Sequence, residues 1–160
     1  MLIDHIFNNW TTSTGDLAKP TTREGQSNKI EFRAGIIDDN KMLQVTTLQG
    51  LTRVGQPDGS SGYLQVGQKA YSMLTQMQVT LKAETPIMGD TSDRLRIMEQ
   101  ELLNICGTYK QTNQTGNMAG IKDLIYDQGD RQYMPEDEFD KTDWRSIHNI
   151  WLWYELVDIT

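Results

Sequence analysis

Two periodicities run along the hydrophobic and polar positions of this chain. Leu2, Ile3, Ile6, Phe7 and Trp10 fall at the i, i+3, i+4, i+7 spacing of a short amphipathic helix, with His5 between them on the polar, solvated side. Leu95, Met98, Leu102 and Ile105, widened by Leu103 and Cys106, form the apolar stripe of a longer helix whose Arg94, Arg96, Glu99, Gln100 and Glu101 face outwards. Asp90, Thr91 or Ser92 caps its start, Asp93 sits in its first turn, and Gly107 stops it. Elsewhere the period is two. Ile30, Phe32, Ala34 and Ile36 alternate with Glu31 and Arg33, and Leu43 and Val45 open a second stretch over residues 41–54, so a hairpin about Asp38-Asp39-Asn40 is expected. Residues 71–83 alternate most cleanly, with Met73, Met77, Val79, Leu81 and Ala83 against Gln76, Gln78, Thr80 and Lys82, before Pro86 ends the strand. A short strand is expected at 121–126.

The final stretch, Trp144 to Thr160, is rich in β-branched and aromatic residues and contains neither Pro nor Gly, so it reads as a strand crossing a whole sheet. Both its faces are largely apolar. Trp144, Ile150, Leu152, Tyr154 and Leu156 point one way, and Ile147, Trp151, Trp153, Val157 and Ile159 the other. One face is covered by the chain's own helix, and the other calls for a second cover such as a neighbouring subunit. Between these elements lie long polar loops at 11–28, 55–67 and 108–120, and an acidic connection at 127–143. A loop as long as 11–28 is one for a partner to order. The element order gives a single α+β domain over 1–160: a short helix and loop over 1–28, then a mixed or antiparallel sheet with helices packed on one face over 29–160.

Charge sharpens the picture. The net charge is -7, and residues 123–143 carry eight acidic side chains against two basic ones. That balance excludes a basic nucleic-acid grip, though not a surface that DNA slides past. The start MLIDHIFNNW lacks the basic region and apolar run of a signal peptide, and no stretch is apolar enough to span a bilayer, so a soluble protein made inside a cell is expected. The single cysteine, Cys106, excludes an intramolecular disulfide and reads as a buried structural thiol.

Signatures of chemistry are weak. The glycines at 55–67 lack the order of a phosphate-binding loop. Asp137, Asp140 and Asp143, or Asp127 with Asp130, offer carboxylates to a divalent cation without a recognised calcium-loop spacing. His148 lacks a serine or cysteine with an orienting acid that the sequence can identify, and reads as a hydrogen-bonded sheet histidine. Trp144, Trp151, Trp153 and Tyr154 read as core and subunit interface rather than as a base-stacking platform, because basic residues are scarce around them. No catalytic residue, cofactor or metal site is expected.

The succession KAYSMLTQMQVTLKAET, DTSDRLRIMEQELLNIC and KDLIYDQGDRQYMPEDEFDKTDWRSIHNIWLWYEL resembles the tail terminator, or tail completion, proteins of long-tailed bacteriophages and archaeal viruses. The resemblance covers residues 69–156. It implies a structural virion protein, not an enzyme: a homo-oligomeric ring, commonly a hexamer, in the neck of the viral tail. Such a ring caps the tail tube and joins it to the head-side connector, with DNA passing through its lumen. Asp130, Glu136, Asp137, Glu138 and Asp140 would then face the lumen, where like charge repels phosphate. Another head-tail joining component, such as a head-closure or adaptor ring, is the nearest alternative. A divalent-metal hydrolase built on the acidic stretch and an oligosaccharide-binding module built on the tryptophans are others.

Overall fold

A computed structural model of the chain describes residues 2–13, 15–24, 29–38, 41–55, 70–85, 88–134 and 142–157. Helix α1 (Leu2–Asn8) is followed by strands β1 (Glu31–Ala34), β2 (Leu43–Gly55) and β3 (Ala70–Thr85), helix α2 (Met88–Gly107), and strands β4 (Ile121–Met134) and β5 (Thr142–Val157). The five strands form one mixed sheet in the order β1-β2-β3-β5-β4. This is the α+β class expected from the pattern. The terminal strand β5 lies inside the sheet, antiparallel to both β3 and β4.

The pleat divides the sheet's side chains into two sets. On one face, Leu43, Val45, Met77, Val79, Leu81, Ala83, Leu124 and Ile150 share a single buried core with Leu2, Ile3 and Ile6 of α1 and Leu95, Met98, Leu102 and Ile105 of α2. Full burial of a Leu or Met side chain is worth about 1.5–3 kcal/mol, and Leu95, Met98 and Leu102 are all fully buried, so packing holds α2 in place. Phe32 of β1 takes the Trp10 and Phe7 rings edge-on, with centroids at 5.1 and 5.3 Å. Trp10 also donates its indole N–H to the Leu17 carbonyl at 2.9 Å.

Several local expectations are corrected. β1 and β2 are parallel, not a hairpin. Parallel neighbours usually need a long crossover, but β1 has only four residues, so a short segment suffices to carry the chain back along it. The reversal begins at Gly35, whose φ of 116° suits glycine and whose N–H donates to the Thr47 carbonyl. Ile36 is 75% exposed because β1 stops at Ala34, before the alternation can continue, and Glu31, expected on the polar side, is buried with Lys41 at 3.6 Å from its carboxylate. β4 runs through Met134, so Asp127 and Asp130 belong to a strand and not to an acidic connection. α2 begins at Met88, which places Asp90, Thr91 and Ser92 inside it and not at its cap.

The loop after α1 is also organised from within. The Glu101 carboxylate, expected to face outwards, is buried and accepts the Thr11 hydroxyl at 2.7 Å and the Thr12 amide and hydroxyl at 2.6 Å. Arg94 bonds Asp16 at 2.8 Å, and Leu17 and Ala18 are buried. The described part of 11–24 is thus tied to α2 from within the chain. His5, expected in solvent, is buried against the Tyr109 ring, and Leu103 is exposed rather than part of the stripe. Cys106 is buried as expected, and burial followed by the nearby Asp123 charge pushes its thiol up to about 12. Residues 56–69, which include all of the expected 55–67 loop but Gly55, and Pro86 lie outside the described residues.

Candidate functional site

The helix-covered face of β5 is polar where the pattern promised apolar cover. Ser146 is fully buried and its hydroxyl lies 2.7 Å from His148 Nε2, while His148 Nδ1 lies 2.7 Å from the Tyr126 hydroxyl. From α2, Glu99 approaches the same Nε2 at 3.9 Å and holds Arg131 of β4 through both its carboxylate oxygens. The strand register makes this possible. Gly129 stands directly opposite His148, and its missing Cβ leaves the room in which the imidazole lies.

A serine, a histidine and a glutamate thus meet where the sequence identified only the histidine. Their arrangement is not that of a nucleophile triad, in which the acid orients one ring nitrogen and the serine bonds the other. Here Ser146 and Glu99 share Nε2, a tyrosine holds Nδ1, and neither Ser146 nor His148 is open to a substrate. The network instead ties α2, β4 and β5 together. Tyr126 is held above its ordinary value by burial, then by the charges of Glu99 and Cys106.

His148 is held below its ordinary value of 6.5, first by burial, with Glu99 opposing and Arg131 adding to the shift. Burial lowers His5 in the same direction. The unfolded chain therefore binds these protons more readily, so both groups give their full contribution above about pH 6.5 and lose it as pH falls below that value. Thermal melts from pH 7.5 to 5.5 are expected to fall. His148→Gln, which cannot titrate there, is expected to flatten that fall, and an unchanged slope would remove His148 as its source.

The opposite face is built in rows across the strands. Leu48, Gln78, Asn149 and Gln128 form one; Thr46, Thr80, Ile147 and Asp130 the next; Gln76, Trp151 and Ile125 lie on the other side of the first; and Leu74, Trp153 and Asp123 lie beyond these. Towards β1 this face is closed, with Gln44 exchanging hydrogen bonds with the Asp38 backbone. Its centre is half-open. A cleft of about 460 Å³ runs along Gln78, Asn149, Gln128, Asp130 and Ile147, and Leu48 and Ile125 are exposed at its margins. Trp151 donates to Asp127 at 3.4 Å, and Lys122 lies over the Trp153 ring at 5.2 Å.

The four aromatic residues expected at an interface stand on two different faces of the sheet. Trp151 and Trp153 stand on the half-open face, whereas Trp144 and Tyr154 belong to the helix-covered face, Trp144 against the core and Tyr154 with its hydroxyl 3.3 Å from Thr75. Of the expected lumen acids, Asp130 is exposed on β4, while Glu136, Asp137, Glu138 and Asp140 lie outside the described residues. Among the described residues, no three His, Cys, Asp or Glu side chains converge into a group fit to hold a metal, and no helix is long and apolar enough to cross a membrane. No protein-family model and no curated protein matches this chain.

Proposed function

We propose that the protein is a structural component of a viral tail: a tail terminator that assembles with copies of itself into a ring, caps the tail tube and meets the head-side connector. The observation that carries this reading is the half-open sheet face. Trp151 and Trp153 are only partly buried there, Ile125 is 37% and Leu48 46% exposed, and the amides of Gln78, Asn149 and Gln128 lie between them. Among the side chains described in this half-open part, the charges, Asp123, Asp127, Asp130 and Lys122, all lie on the outer strand β4, which leaves an uncharged aromatic and amide centre with a charged rim, the arrangement of a subunit interface. The resemblance over residues 69–156 supplies the kind of assembly. Asp130, at the margin of that face, and the acids of 136–140 are assigned to the lumen, where DNA passes without being gripped.

The test is the mass of the purified protein from dilute to concentrated solution, by light scattering with negative-stain imaging, with and without tail tube. Rings, or monomers that close into rings on a tube, are the expected result. A strict monomer that never adds to a tube would sink the reading. Trp151→Glu and Trp153→Glu are expected to weaken association at least about 30-fold, the loss typical of an interface hot spot. Both side chains are partly buried, so the melting temperature of each variant is measured alongside, and the loss of association counts only in a variant that stays folded at the assay temperature. A ring structure with residues 123–143 on its outer wall would overturn the lumen assignment.

A further inference from the structure

A second cleft, of about 410 Å³, opens between α1, the C-terminal end of α2 and the two 3-10 turns at Gln111–Asn113 and Gly116–Met118. It shares no lining residue with the half-open sheet face, so its chemistry is independent of the assembly reading. Its volume lies in the range of small-molecule sites, roughly 300–1,000 Å³.

The cleft is amphipathic. Ile105 and Met118 form a narrow apolar floor, each with only a small part of its surface open to the cleft. The rings of His5 and Tyr109, edge to face at 5.3 Å, add an aromatic wall. The polar groups are different in kind: the side chains of Asn8, Asn113 and Thr115 are exposed and make no hydrogen bond or ion pair among the described residues. An amide carries two donors and an acceptor oxygen, and a hydroxyl both gives and takes, so these groups suit a ligand that also does both.

The charge of the site narrows the class. The Asn9 side chain donates to His5 Nδ1 at 3.3 Å, which leaves the imidazole proton on Nε2. Burial keeps this ring neutral at pH 7, so it offers a donor and no positive charge. The cleft also receives the negative end of the α2 dipole and the Asp4 carboxylate, which is partnered by Arg23 at 2.9 Å. Among the described residues no lysine or arginine lines the cleft, and the two cations that reach its rim are engaged, Arg23 with Asp4 and Lys19 with the Asn8 carbonyl at 3.2 Å, so a phosphate or carboxylate is not favoured there.

We propose that this cleft binds a small neutral polyhydroxylated molecule of monosaccharide size. The apolar C–H face of the ligand rests on Ile105, Met118 and the rings, and its hydroxyls bond Asn8, Asn113 and Thr115. With few polar anchors and an open rim, the affinity expected is of the order of 1 mM.

The experiment is an NMR titration of the full chain with glucose, galactose, mannose and N-acetylglucosamine, followed at the side-chain amides of Asn8 and Asn113 and the Thr115 backbone amide. At least one sugar is expected to give saturable shifts confined to these groups and their neighbours. Asn8→Ala, Asn113→Ala and Thr115→Val, all at exposed positions, are each expected to weaken that binding about tenfold, the loss of one good hydrogen bond, with the rest of the spectrum unchanged. Glucose 6-phosphate should bind less tightly than glucose. The proposal is overturned by the absence of saturation with every sugar up to about 50 mM. It is equally overturned by shifts confined to the sheet face, by wild-type affinity in all three variants, or by tighter binding of the phosphate ester.

Discussion

Replacing Gly129 with alanine is expected to cost about 3–4 kcal/mol and to lower the melting temperature by roughly 6–16 °C. An added Cβ would stand 2.5 Å from the Tyr126 hydroxyl and 2.7 Å from His148 Cε1, inside van der Waals contact with both. These neighbours cannot simply rotate away. The imidazole is fixed at one nitrogen by Tyr126 and at the other by Ser146, and it is almost wholly buried beneath α2. Overpacking of this kind costs about 1–3 kcal/mol, and each buried polar group that loses its partner costs about 1–3 more. Moving the ring would also disturb Glu99, which holds Arg131 from the neighbouring helix. The double variant Gly129→Ala/His148→Ala separates this account from a general intolerance of the strand. With the ring gone, the methyl group has space, so the two losses should fall short of their sum by at least about 1 kcal/mol. A single Gly129→Ala variant melting within about 2 °C of the parent would mean that the imidazole is not wedged against the glycine.

This network also marks where the sequence stopped being legible. The strands β2, β3 and β5 and the stripe of α2 follow from the chain's own periods, because each is long enough for one buried set of side chains to repeat. β1 is too short for that. Its alternation continues into Ala34 and Ile36, yet both are exposed, since four residues of pairing end before the apolar pattern does. Its parallel pairing was hidden for the same reason: a turn signature at Asp38-Asp39-Asn40 reads as a hairpin unless the first strand is known to stop at Ala34. The extent of β4 was concealed by charge. Asp127 and Asp130 look like loop residues, but on an outer strand with one side to water they remain solvated while the backbone pairs with β5. Ser146, Tyr126 and Glu99 could be brought to His148 only by the register of three elements, which no local pattern encodes. Gly129 was the one available signal, an isolated glycine in a strand where another group approaches. The half-open face was anticipated from the two apolar sides of the last strand, although only Trp151 and Trp153 of the four aromatic candidates stand on it.

Replacing Glu101 with alanine is expected to destabilise the protein by about 3 kcal/mol, roughly 6–12 °C in melting temperature, through a segment ninety residues away in sequence. The carboxylate gathers four donors: the amides and hydroxyls of Thr11 and Thr12. A hydrogen bond to a charged group is worth about 1.5–3 kcal/mol, but the four are not additive, and water can replace some of them at the exposed Thr11. The remainder comes from the segment these threonines lead into. Trp10 precedes them, with its ring on Phe32 and its indole N–H on Leu17, and Asp16 comes after, held by Arg94. Without Glu101 the chain between these anchors loses its central tie to α2, so the Trp10 indole proton should exchange faster and the segment should be cut sooner by protease. Glu101→Gln is the decisive companion. Four of the five short contacts use one carboxylate oxygen, which the amide can reproduce without the charge, so glutamine is expected to recover most of the loss and to sit within about 1 kcal/mol of the parent. If glutamine proves as damaging as alanine, the charge and not the geometry ties the loop down. If neither variant changes the melt or the exchange of Trp10, the loop is held by Trp10, Leu17 and the Asp16–Arg94 pair alone.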